Sequence, residues 1–142
     1  MSKARFGWIA GLMLVMPGMV LAKSQILGVD QFEAVLRQCS RSAPAASAAW
    51  KIDPALATRI DAYLASQESL QSDSGPIKNP GLVDVQYLGV IINGKKQVYI
   101  NAGLLDDKGR AGVACDGGRM FWGAIYDPQT GTVSDVRANG PI

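Results

Sequence analysis

Asn93-Gly94 lies between two long apolar runs, and this dipeptide constrains the fold more than any other feature of the chain. A two-residue type I′ turn needs positive φ at both central residues, which Asn and Gly adopt at least cost. The flanking segments, 83–92 and 95–102, are rich in the Val, Ile and Tyr that suit strands. Such a turn also sets the register: Ile92 faces Lys95, Tyr87 faces Ile100 and Val85 faces Ala102. Side chains alternate across a strand. One face therefore carries Val85, Tyr87, Ile91, Val98 and Ile100, and is expected to meet the helices. The other carries Leu88, Val90, Ile92 and Tyr99 beside Lys95 and Gln97. That second face is rather apolar for a solvated surface. Its four apolar residues are candidates for a partner-binding patch, although a covering loop is the commoner reason for such a face.

A second hairpin is expected downstream. Segments 120–126 and 132–138 flank Asp127-Pro128-Gln129-Thr130-Gly131. Pro at the second turn position and a Gly able to take positive φ suit a type I turn with a G1 bulge. Gly123 in mid-strand suggests a bulge or the close approach of another group. Phe121 and Trp122 are adjacent and point to opposite faces, so one is core. The other packs under the 71–81 loop or contacts a ligand.

Helical signals precede the strands. In 30–40, Asp30 followed by Glu33 reads as a capping box. Phe32, Val35, Leu36 and Cys39 fall on one face at helical spacing, which aims Cys39 at the core. Segment 41–52 reads as irregular. A second helix starts at Asp53 as N-cap with Pro54 at N1 and is expected to run to about Leu70, with Leu56, Ile60, Tyr63 and Leu64 as its apolar stripe. Trp50 is placed as a hydrophobic staple or at the core edge. Segment 71–81, QSDSGPIKNPG, reads as a long surface loop, and 103–112 as a polar turn.

The N-terminus supplies a compartment. Residues 1–22 join a basic start, Lys3 and Arg5, to an apolar run from Phe6 and a helix break at Pro17-Gly18. Val20-Leu21-Ala22 then offers the small-residue site of a signal peptide. The apolar part is short of the ~20 residues a membrane span needs. Cleavage is expected after Ala22, and Lys23 at the following position argues against a lipid anchor. The domains are thus a signal peptide at 1–22 and a single α+β domain at 23–142. Removing 22 residues from 142 leaves 120, enough for a real core. Lys3 and Arg5 leave with the leader, so 14 basic residues become 12 against 12 acidic ones. A neutral domain without a Lys/Arg cluster is a poor fit to nucleic acid or to an anionic membrane. A periplasmic or secreted location follows, with no stable membrane anchor after cleavage.

The two cysteines, Cys39 and Cys115, allow one intramolecular disulfide, as an exported chain favours. The closed loop of about 75 residues is worth at most about 4–5 kcal/mol in the chain-entropy model. C-x-x-C spacing is missing, which argues against a redox pair. The chain has no histidine, which removes Ser-His-Asp and Cys-His catalysis and most zinc sites. Asp106, Asp107 and Asp116 lack EF-hand spacing. Asp127 and Asp135 flank a hairpin turn, where Asp127 is expected to accept turn N–H bonds. No G-x-S-x-G elbow is present. Gly117-Gly118 lacks the Lys-Ser/Thr of a phosphate loop, although two glycines can expose N–H groups as an anion nest. No catalytic residue, metal site or cofactor is expected.

Cys115-Asp116-Gly117-Gly118, Phe121-Trp122-Gly123 and Tyr126-Asp127-Pro128, with Tyr99-Ile100-Asn101-Ala102 upstream and Asn139-Gly140 at the end, form a dense set of landmarks. Together they resemble a group of small exported bacterial proteins of unassigned function. The resemblance covers roughly the last 45 residues. It implies export and a β-rich C-terminal half, and carries no activity with it.

The expected architecture is α+β, with N-terminal helices packed on one face of an antiparallel sheet of about four strands made by two consecutive hairpins. The expected function is a non-enzymatic binding protein, for instance an inhibitor or immunity-like protein that caps an envelope or secreted enzyme. Its partner is a protein in the envelope or outside the cell. Candidate contacts are Leu88, Val90, Ile92 and Tyr99, or the loop with Gly117, Gly118, Arg119 and Trp122. The alternatives are a structural component of the envelope and, less favoured, a His-free carboxylate hydrolase.

Overall fold

The structure is a computed structural model that describes residues 22–141. The expected leader, apart from its last residue Ala22, lies outside the described residues. Strand β1 is Ser24–Ile26, followed by a 3₁₀ turn at Val29–Gln31 and the short helix α1, Phe32–Leu36. Then come β2 (Ala48–Trp50), α2 (Pro54–Ser66), β3 (Ser69–Ser72) and β4 (Gly75–Lys78). After a 3₁₀ turn at Pro80–Leu82 the chain forms β5 (Val85–Ile92) and β6 (Lys95–Ala102). A long irregular stretch leads through a 3₁₀ turn at Gly118–Met120 to β7 (Trp122–Asp127) and β8 (Thr132–Ala138).

The β5–β6 hairpin forms as its turn requires. Asn93 and Gly94 have φ of 51° and 74°, and Ile92 pairs with Lys95, Tyr87 with Ile100 and Val85 with Ala102. The β7–β8 hairpin forms around Gly131 at φ 69°, whose N–H donates to the Asp127 carbonyl across 2.8 Å. The Asp127 carboxylate accepts the Gln129 N–H at 2.8 Å, as a turn residue does. The register slips between Gly123 and Ile125, where β8 carries an extra residue and Asp135 takes φ 49°.

The sheet is larger than two hairpins. Six strands form a mixed sheet in which β1, β5, β6, β7 and β8 follow in order. β1 runs parallel to the first half of β5, and β2 runs antiparallel to its second half. β3 and β4 make a separate two-stranded hairpin. With eight strands and two short helices the described residues are mostly β, which overturns the expected four-stranded sheet with helices packed on it. The reason is strand length. β1, β2, β3 and β4 have three or four residues each, too few to show a period, and only their partners define them. Segment 71–81 is accordingly not a loop: β4 lies within it, and Leu70 and Ile77 face each other across the hairpin and are buried.

The helices also divide between the faces. α2 buries Ala57, Ile60 and Leu64 with Val85, Tyr87, Val98, Ile100, Trp122, Ala124 and Tyr126 in one core. Asp53 caps it by accepting the Leu56 N–H at 2.8 Å, and the helix stops at Ser66, short of Leu70. On the opposite face Leu27, Val35 and the half-buried Phe32 and Leu36 cover Leu88, Val90, Tyr99 and Ile125. The first helix is shorter than the 30–40 expected. Asp30 makes no cap and its carboxylate accepts from the Gln31 side chain. With α1 ending at Leu36, Cys39 follows the helix and is exposed instead of facing the core. Trp50 rides on β2 at the core edge and donates its indole N–H to the carbonyls of Gln97 (2.9 Å) and Val90 (3.1 Å).

Candidate functional site

The apolar patch of Leu88, Val90, Ile92 and Tyr99 is not an open surface. Leu88 and Val90 are fully buried and Tyr99 nearly so, beneath α1 and the segment before it; Ile92 is half-buried beside them. The covering layer, not a partner, desolvates this face. Trp122 also leaves the list of accessible residues: it is fully buried, on the opposite side of the sheet from Tyr99. Phe121, half-buried, packs against Gly103 and Gly117, where a Cβ at either glycine would meet its ring.

Beside the buried apolar row on the second face runs a polar one. Gln25, Gln86, Asn101, Gly123 and Arg137 are successive partners across β1, β5, β6, β7 and β8. Gln86 Nε2 donates to Gln25 Oε1 (2.8 Å), and Asn101 Nδ2 donates to Gln86 Oε1 (3.0 Å). At Gly123 the row has no side chain, and the Arg41 guanidinium and Tyr99 hydroxyl fill the space a Cβ would occupy. Arg41 is only 8% exposed. Its Nη2 donates to Asn101 Oδ1 (2.5 Å), its Nη1 to Asn139 Oδ1 (2.6 Å), and Nε and Nη2 share the Tyr99 hydroxyl at 3.3 Å each. Among the described residues no carboxylate comes within 4.0 Å of it. Burying a cation costs several kcal/mol, so the neutral acceptors must be well placed to offset it.

These side chains take up the backbone groups of the irregular stretch between β6 and β7. Gln86 donates to the Arg110 carbonyl and accepts the Gly112 N–H, both at 2.8 Å. Asn101 donates to the Gly112 carbonyl at 2.9 Å. Asn139 donates to the carbonyls of Ala114 (2.7 Å) and Asp116 (3.0 Å). A segment with no ladder of its own is thus satisfied by side chains of the sheet. The Cys39–Cys115 disulfide, spanning 76 positions with Cα atoms 4.7 Å apart, ties the same segment to the chain just before Arg41. Both cysteines are exposed.

What this frame presents to solvent is the Gly117–Met120 turn. Gly117 and Gly118 take φ of 91° and 58°, conformations that other residues resist. The Gly118 N–H donates to the Gly140 carbonyl at 3.0 Å, so this pair of glycines does not hold a free anion nest. Arg119 and Met120 project outward, Met120 being 71% exposed. They line an open groove with Pro76, Ile77, Lys78 and Val83. Its lining is mixed, with Lys78 and Arg119 as the charged residues. The Arg119 guanidinium lies over Gly75, in the space that a Cβ there would occupy. Leu82, 68% exposed, precedes Val83. Of the residues expected at a binding surface, Arg119 is exposed and Gly117, Gly118 and Ile92 are half-buried; sequence reasoning missed Met120 and the β4 side of the groove.

A second polar cluster lies under α2. The Tyr87 hydroxyl donates to Asp61 Oδ1 (2.6 Å) and the Ser24 hydroxyl to Asp61 Oδ2 (2.9 Å). Burial, reinforced by the Asp61 carboxylate, pushes the Tyr87 hydroxyl well above the usual phenol range. Asp106 is held below the usual carboxylate range chiefly by its hydrogen bond from Arg110, on the surface. Among the described residues no three His, Cys, Asp or Glu side chains group as a metal site. Nor is any helix among them long and apolar enough to cross a membrane. The Cys39–Cys115 disulfide is consistent with an exported protein.

No family model matches the chain, and neither a curated protein nor a solved structure matches it.

Proposed function

We propose that the protein is an exported, non-enzymatic binding protein that caps an envelope or secreted enzyme, as an inhibitor or immunity protein does. The observation that supports this reading is the groove between β4 and the Gly117–Met120 turn. An exposed Met at its edge, apolar side chains of Pro76 and Val83, and Lys78 and Arg119 as its charges suit a protruding segment of the partner. That segment carries an apolar residue flanked by carboxylates. Met adapts its shape to such a surface, and charge complementarity speeds encounter and fixes orientation. The disulfide and the Arg41 network keep the turn ordered before binding, which lowers the entropy lost on association.

The test compares the mature, oxidised protein with a Lys78→Glu/Arg119→Glu variant. Each is immobilised and exposed to envelope and culture-supernatant fractions. The expected result is an enzyme retained by the first and not by the second, and inhibited in solution by the first alone. An enzyme that binds both equally, or that keeps full activity when bound, would overturn this reading.

A further inference from the structure

The nitrogen that the expected cleavage would free is already held by the fold. The Lys23 backbone N–H donates to Asp84 Oδ1 across 2.7 Å. The Lys23 carbonyl accepts the Val85 N–H at 2.9 Å, so the first rung of the β1–β5 pairing fixes this residue on both sides. Ala22 and Lys23 form part of the wall of a small cavity that also includes Asp61, Pro80 and Val85. The expected scissile bond thus falls one residue before the first strand, with Asp61 in the cavity wall and Asp84 at the Lys23 nitrogen.

We infer that Asp84 is the receptor for the α-ammonium group created by processing, so that maturation itself locks β1 onto the sheet. The inference rests on the reading of residues 1–22 as a leader cleaved after Ala22. Hydrolysis by a signal peptidase breaks the Ala22–Lys23 C–N bond and consumes one water. The water's oxygen goes to the Ala22 carbonyl carbon, which leaves as a carboxylate, and the Lys23 nitrogen ends as a protonated amine. An amide with one proton becomes an ammonium with three and a full charge, while its acceptor stays in place. Charge-assisted hydrogen bonds are roughly twice as strong as neutral ones. In the uncleaved chain Asp84 holds only the neutral amide.

The experiment is a double-mutant cycle between residue 84 and the state of the Lys23 nitrogen. A chain beginning at Lys23 is compared with one beginning at Met19, in which that nitrogen remains an amide, each with Asp84 and with Asp84→Asn. Urea unfolding is read at low salt. Asp84→Asn is expected to raise the unfolding equilibrium constant about 2–5-fold more in the Lys23 chain than in the Met19 chain, the range of partly exposed ion pairs. With Asp84 in place, the Lys23 chain is also expected to be the more stable, by a margin that shrinks in 1 M NaCl as screening requires (about 3 Å Debye length). Equal effects of the substitution in both chains, or a margin indifferent to salt, would overturn the ammonium pair. The intact mass of the exported protein tests the leader reading separately. A start at Lys23 supports it, and any other start removes the group Asp84 is inferred to receive, whatever the cycle gives.

Discussion

Arg41 Nη1 donates to Asn139 Oδ1 across 2.6 Å and joins two residues 98 positions apart. The same guanidinium reaches Asn101 and the Tyr99 hydroxyl, so one cation gathers the middle strand of the sheet, the end of the chain and the segment after α1. Its acceptors are neutral, and its planar fork is what lets it serve three of them together.

Arg41→Met is therefore expected to cost about 2–4 kcal/mol. It orphans the oxygens of Asn101 and Asn139, at roughly 1–3 kcal/mol each, and the lost desolvation penalty of the charge offsets part of this. Arg41→Lys is expected to recover less than half, because an ammonium cannot span the same acceptors. Urea denaturation gives the totals. Hydrogen exchange should show the Gly112 amide losing protection first, since Gln86 accepts it and Asn101, which Arg41 positions, donates to both Gln86 and the Gly112 carbonyl. Wild-type stability in Arg41→Met would contradict this account.

Gly123 leaves the gap in the polar row that Arg41 and Tyr99 fill. Gly123→Ala puts a methyl group against the Tyr99 hydroxyl and the Arg41 Nε, and is expected to cost about 1–3 kcal/mol by overpacking. Tyr99→Phe removes the clashing oxygen. The double variant should then be less unstable than the sum of the two, with a coupling of about 0.5 kcal/mol or more. Strict additivity in thermal or urea unfolding would mean the contact is relieved some other way.

The disulfide closes a long loop and ends on an exposed cysteine at either side. Cys39→Ser/Cys115→Ser is expected to lower stability by about 2–4 kcal/mol, within the chain-entropy bound. The effect on exchange should be uneven, with residues 103–118 losing protection while the β5–β6 pairing stays protected until global unfolding. Uniform loss across both would place the bond's effect in the core instead.

Tyr87 supplies a pH dependence. Its hydroxyl titrates well above 10 in the folded protein, because burial and then Asp61 disfavour the phenolate. Below the unfolded value of about 10 both states keep the proton and stability is unaffected. Above it the unfolded chain loses the proton and the folded one does not. Stability should then fall by up to about 1.4 kcal/mol per pH unit from this group. Urea melts between pH 8 and about 11.5 should show the fall, and Tyr87→Phe should flatten that portion. An unchanged slope in the variant would exclude Tyr87 as its source.

The hairpins were legible in the sequence because their determinants are local. Asn93-Gly94 sets a turn type, the turn sets a register, and the register assigns every residue of β5 and β6 to a face. The same holds for Asp53 and Pro54 at the start of α2. Even the Gln86–Asn101 pair was within reach, since both are polar positions in apolar runs and the register makes them partners. The Cys39–Cys115 bond followed from a count of two.

Tertiary structure decided what depends on distant partners. β1, β2, β3 and β4 are strands only because β5 or each other supply their hydrogen bonds. The second face of the sheet is core because Leu27, Phe32, Val35 and Leu36 fold over it; its apolar character pointed to a cover, but no residue of the hairpin says which segment supplies it. Arg41, in a stretch without periodicity, gave no sign of burial; its place follows from a missing side chain at Gly123 and from amides near both ends of the chain. Local chemistry specifies turns, caps and faces within a few residues. Which faces meet, and which charge is drawn inside, is settled by packing between segments far apart in the sequence.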